Sequence, residues 1–113
     1  FIMTIQYKSE SFDLTTTNLT TVLTISTSAV AIVKTVQASH QDVSNVDVDL
    51  FLKKSGGSNV EVGHAQLNKS TTNMITDTLN LEAGDVIKMQ AGTADEITGF
   101  VSYALINREN ENG

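Results

Sequence analysis

The chain contains no cysteine, no proline and no tryptophan, and its only aromatics are four Phe and two Tyr in 113 residues. Without cysteine there is no disulfide, no thiolate zinc site and no cysteine nucleophile, and either redox compartment would suit it. Basic residues are scarce too. Seven Lys and Arg stand against thirteen Asp and Glu, a formal charge of −6, and Lys53-Lys54 is the one adjacent basic pair. Duplex binding depends on clustered cations that neutralise phosphates, so no direct nucleic-acid partner is expected. No apolar run approaches the roughly 20 residues of a membrane-spanning helix, so no membrane partner is expected either. The opening Phe1-Ile2-Met3 lacks the basic and long apolar regions of a secretory signal. A chain that begins on Phe is expected to have further residues ahead of it.

What is abundant is Thr, Ser, Asn and Val. Thr and Val are β-branched and suit a pleated, half-buried surface, while Asn and Ser favour turns. A length of 113 residues fits one domain, and 40% hydrophobic residues are enough for a single core. The dominant pattern is alternation of apolar and polar residues. It is clearest at Val46-Asp47-Val48-Asp49-Leu50-Phe51-Leu52-Lys53, where Val46, Val48, Leu50 and Leu52 share one face. Similar stretches at 5–14, 20–26, 30–39, 59–68, 74–81, 85–91 and 96–107 bring the expected count to about eight strands. No helix is expected, because Val30, Ile32, Val33 and Val36 make 28–38 β-branched. The chain reads as all-β, a single antiparallel β-sandwich or jelly-roll-like domain. The last strand is apolar on both faces, with Ile97, Gly99, Val101, Tyr103 and Leu105 on one and Phe100, Ala104 and Ile106 on the other. It is expected to be central or covered by another subunit. The domain is expected to span 1–106 with an apolar N-terminal arm, followed by a polar C-terminal tail at 107–113.

Reaction chemistry finds little support. A catalytic zinc needs three protein ligands and an open position, whereas the two histidines, His40 and His64, lie 24 residues apart. His40 is expected to be exposed in a turn, and His64 to pack or hydrogen-bond on a strand face. Asp47 and Asp49 are expected to solvate a strand, and Asp42 and Asp85 to cap turns. No Gly-x-Ser-x-Gly elbow and no phosphate-cradling loop before a helix is present. The sequons Asn18-Leu19-Thr20 and Asn68-Lys69-Ser70 are chance matches in an Asn- and Thr-rich chain. The chain is therefore expected to be no enzyme, with no cofactor and no catalytic or metal residue. Within Glu82-Ala83-Gly84-Asp85, Gly84 is expected to give the turn its backbone freedom and Asp85 to cap it. Phe51 is expected on the polar side of its strand, open to a subunit contact or to a second buried layer. Phe100 admits the same two readings.

The ordered pieces TTVLTISTSAVAIVKTVQASHQDVSNVDVDLFL, LNLEAGDVIKMQAG and GFVSYALI resemble a family of small bacteriophage virion proteins, especially those of marine phages infecting cyanobacteria. The resemblance runs over about 5–106, through 31–40, 46–52, 79–90 and 101–106. It departs at Ser26-Thr27-Ser28, where some members carry a Pro-Ala-Gly turn. It implies a β-sandwich repeated on a capsid or tail, a decoration (cement) protein or a tail or neck component, made in the host cytoplasm. Its partners would be further copies of itself and other virion proteins such as the major capsid or tail proteins. The alternative is a receptor- or glycan-binding module of a tail fibre. The expected interface residues are Phe51, Phe100, Ala104, Ile106 and the N-terminal Phe1, Ile2 and Met3.

Overall fold

The structure, a computed structural model, describes residues 2–40, 45–67, 72–76 and 78–109, so Phe1, Asp42 and the sequon at 68–70 lie outside it. Nine strands form among the described residues: β1 (Ile2–Leu14), β2 (Thr20–Thr24), β3 (Ala29–His40), β4 (Val46–Lys53), β5 (Asn59–Leu67), β6 (Thr72–Thr76), β7 (Leu79–Leu81), β8 (Val86–Ala91) and β9 (Ile97–Glu109). One sheet has the order β1-β9-β3-β6 with β7 also on β3, and the other has the order β2-β8-β4-β5. Every pairing is antiparallel.

The pairing is nested. β1 pairs with β9, β2 with β8, β3 with β6 and β7, and β4 with β5. That is one long hairpin, closed at Lys54–Ser58, rolled up so that β9 also meets β3 and β8 also meets β4. The result is a jelly roll. The single strand expected at 74–81 is two pieces, β6 and β7, laid along the same course of β3.

Alternation decides the core. Val33, Val36, Ile97 and Val101 from the larger sheet and Val48, Leu50, Ile87 and Met89 from the smaller one have no solvent exposure. Each such side chain contributes roughly 1.5–3 kcal/mol through burial. β9 lies between β1 and β3, which accounts for its inner apolar row. It also runs to Glu109, pairing with Ile2. The polar segment expected as a tail from 107 therefore begins inside a strand, and Ile2 and Met3 lie in a paired strand.

Candidate functional site

The cross-strand register collects an apolar face on the outside of the larger sheet. Directly opposed residues of antiparallel strands project to the same side. One row is Ile5–Ile106–Val30, the next Tyr7–Ala104–Ile32, and further along Phe100 lies between Ser11 and Gln37. Ile5 is 56% exposed, Tyr7 77%, and Ile32 and Phe100 37% each, while Ala104 is buried within its row. A bulge between Val33 and Thr35 interrupts the β3–β9 register. Beside it the Lys34 ammonium stands 5.7 Å from the Tyr7 ring centroid, a cation–π contact at the rim. Among the described residues β1 is an edge strand, so this face continues to the edge of the sheet.

Three of the expected interface residues, Phe100, Ala104 and Ile106, therefore share one face. Phe51 does not join them. It is half-buried on the outside of the smaller sheet, opposite Glu61 and Lys88. The backbones of Ile2 and Met3 pair with Glu109 and Arg108, and Phe1 lies outside the described residues. Sequence reading missed Ile5, Tyr7, Val30 and Ile32, whose grouping depends on knowing which strands flank β9.

The turn at 82–85 is structural. Gly84 has φ +83°, a conformation that favours glycine. The Asp85 carboxylate is buried and accepts from Glu82 N at 2.8 Å, Ser55 N at 3.3 Å and Lys54 Nζ at 2.6 Å. Burial alone would push its pKa up, but the Lys54 ammonium and the two N–H donors hold it below the usual carboxylate range. Lys54 also donates to Glu82 at 3.0 Å. His40 corrects the expectation of an exposed turn residue: it is the buried last residue of β3, its Nδ1 3.4 Å from the Glu96 carbonyl. It continues the inward alternation of Val36 and Ala38.

A third cluster lies on the outside of the smaller sheet. His64 is directly opposite Asp49, and its Nδ1 donates to Asp49 Oδ1 at 2.5 Å. Glu61 Oε2 stands 3.8 Å from the same nitrogen. Regular alternation would put Glu61 and His64 on opposite faces, but a bulge beside Leu50 and Phe51 turns Glu61 outward. The hydrogen bond to Asp49 raises the His64 pKa, with Asp47 and Glu61 adding to it, and contact with Asp49 raises that of Glu61. Finally, the sheets part between β1 and β2 into a groove of about 380 Å³, with Lys8 and Glu10 on its rim and Leu23 and Tyr103 among its walls. The Tyr103 hydroxyl donates to Glu10 at 3.5 Å, and burial pushes its pKa up.

No family model and no curated protein matches the sequence. Solved structures do resemble it in fold. A chain from the acidic stable capsid of Helicobacter pylori bacteriophage KHP30 aligns with TM-score 0.58 over 93% of both chains, at 8% identity. A subunit of Bacillus endospore appendages, a family of disulfide-linked pili, aligns with TM-score 0.54 over 93% of this chain and 87% of that one, at 11% identity. The VP2 subviral particle of infectious bursal disease virus gives TM-score 0.53 over 96% of this chain and 34% of VP2, at 11% identity. At these identities the likeness establishes the all-β jelly roll. The structures that share it include capsid and pilus subunits.

Proposed function

We propose that this chain is a non-enzymatic structural subunit of a phage particle, placed on the capsid as a decoration protein or in the neck or tail, and working as repeated copies. The observation that carries the reading is the outward apolar face of β1, β9 and β3, built from Ile5, Tyr7, Ile32, Ala104 and Ile106. Apolar residues gathered on a sheet exterior and rimmed by polar ones mark a protein contact. Copies held on a symmetric lattice convert weak contacts into firm attachment through multivalency. The jelly roll supplies a rigid block, and it is the fold found in the phage capsid and pilus chains.

The test is the oligomeric state of the purified chain, followed over concentration by sedimentation equilibrium, with electron microscopy of any assemblies. Discrete oligomers or arrays are expected. A chain that stays monomeric at all concentrations and turns over a small molecule would sink the proposal. Copy number in intact particles separates the two placements: lattice-wide occupancy means decoration, a single ring means neck or tail. The second reading, a receptor or glycan module of a fibre, draws on Tyr7, which is 77% exposed on an open sheet face. Saturable glycan binding lost in Tyr7→Ala would favour it.

A further inference from the structure

The side chains of Asp49, Glu61 and His64 come from two adjacent strands, yet their ligand atoms all lie within 4.8 Å of one another. Asp49 and His64 meet because they are opposed in the β4–β5 register, and Glu61 meets them because of the bulge. Had the ladder been regular, Glu61 would point inward and only a pair would remain. The outward face around the cluster adds Asp47 on β4, Gln66 on β5 and Gln90 on β8, with Lys53 and Lys88 beyond Phe51.

We propose that Asp49, Glu61 and His64 form a site for a divalent transition-metal ion of the zinc class. One imidazole nitrogen and two carboxylate oxygens are a borderline donor set, which suits zinc or its first-row neighbours better than calcium or magnesium, whose sites are all oxygen. Two carboxylates held against each other repel, and a cation placed between them relieves that repulsion while replacing the proton that His64 and Asp49 share. Zinc–ligand distances of about 2.1 Å imply roughly 3.4 Å between neighbouring donors of a tetrahedral ion. The 3.8 Å separation of His64 and Glu61 is already close to this. The 2.5 Å separation of His64 and Asp49 must open by about 1 Å, a small side-chain rotation on an exposed face. The three protein ligands leave the remaining position open to solvent, available to water or to a donor from another molecule. This inference concerns one chain and does not depend on the virion reading.

Titration of the purified native chain with zinc chloride, followed by calorimetry, is expected to show one saturable equivalent per chain, and calcium chloride none. Glu61→Gln and His64→Gln should each weaken binding at least about tenfold, as losses around a metal do. Circular dichroism should be unchanged, because both residues sit on an exposed face. The chain has two histidines, so nitrogen-15 resonances give a direct readout: the imidazole of His64 should shift on addition of zinc and that of buried His40 should not. Absence of saturable binding, a shift at His40 instead, or equal binding by wild type and both variants (an adventitious ion only) would overturn the site.

Discussion

At Gly99 the backbone of β9 runs so close to β3 and β1 that a methyl group has no room. A Cβ there would lie 2.0 Å from the Gln37 carbonyl oxygen, 2.6 Å from Phe12 Cζ and 3.0 Å from Ala38 Cα. Two of these obstacles are backbone atoms, which no rotamer change can move. Gly99→Ala should therefore cost at least about 3 kcal/mol, the upper range of overpacking, seen as a lowered urea midpoint or a loss of soluble protein. Gly84 is limited differently, by its φ of +83° and by Ser55 Oγ, which would lie 2.9 Å from an added Cβ. Gly84→Ala should cost about 1–2 kcal/mol, less than Gly99→Ala, and the reverse order would contradict this packing. Asp85 brings in pH. Its pKa is depressed in the fold, so the stability it contributes is fully present above the ordinary carboxylate value of about 3.9. That contribution is lost as pH falls through the lower, folded value. Asp85→Asn keeps the shape but removes the charge, at a cost of about 1–3 kcal/mol at neutral pH, limited because Lys54 is half-exposed and can regain water. The melting-temperature gap between wild type and variant should narrow below pH 4, and a constant gap would show that the charge contributes nothing.

The strands themselves test how the outer face differs from the core. Ile5 and Tyr7 lie on β1 with 56% and 77% exposure, so Ile5→Ser with Tyr7→Ser should change monomer stability by no more than about 1 kcal/mol. Leu50→Ala, at a fully buried position of β4, should cost about 2–5 kcal/mol. If the outer face is an assembly surface, the Ser pair should weaken self-association while urea unfolding barely moves. Equal association by wild type and the Ser pair would remove β1 from the contact. Much of this was readable beforehand. Period-two alternation marked 46–53 as β4 with the bounds observed. The two apolar faces of the last strand left a central place or cover by another subunit open, of which β9 takes the central place between β1 and β3. His40 could have been read as buried by carrying the Val36–Ala38 alternation one step further. What alternation cannot show is where it breaks. The bulge beside Leu50 and Phe51 turns Glu61 to the side of His64, and no local pattern marks it. Nor does alternation pair distant strands. The row Tyr7–Ala104–Ile32 spans nearly the whole chain, so its residues look unrelated until the nested topology is known.

As a whole the molecule is elongated, 54 × 26 × 20 Å, and carries a formal charge of −6. These two properties oppose each other in assembly. The two longest strands are β1 and β9, and the apolar rows are spread along them. The charge makes any two copies repel, and that repulsion acts over about a Debye length, near 30 Å at 0.01 M salt and 3 Å at 1 M. Burial of apolar area is the attractive part, and salt does not screen it. Self-association through the outer face should therefore tighten as sodium chloride rises from low to molar concentration, with most of the change occurring where the Debye length falls below the thickness of the molecule. A contact built on ion pairs between copies, for example Lys53 or Lys88 of one with the acidic cluster at Asp47 and Asp49 of another, would weaken over the same range. Sedimentation equilibrium at several salt concentrations reads the sign directly, and a dissociation constant that rises with salt would place the contact on the charged face of the smaller sheet instead of on the apolar face of the larger one.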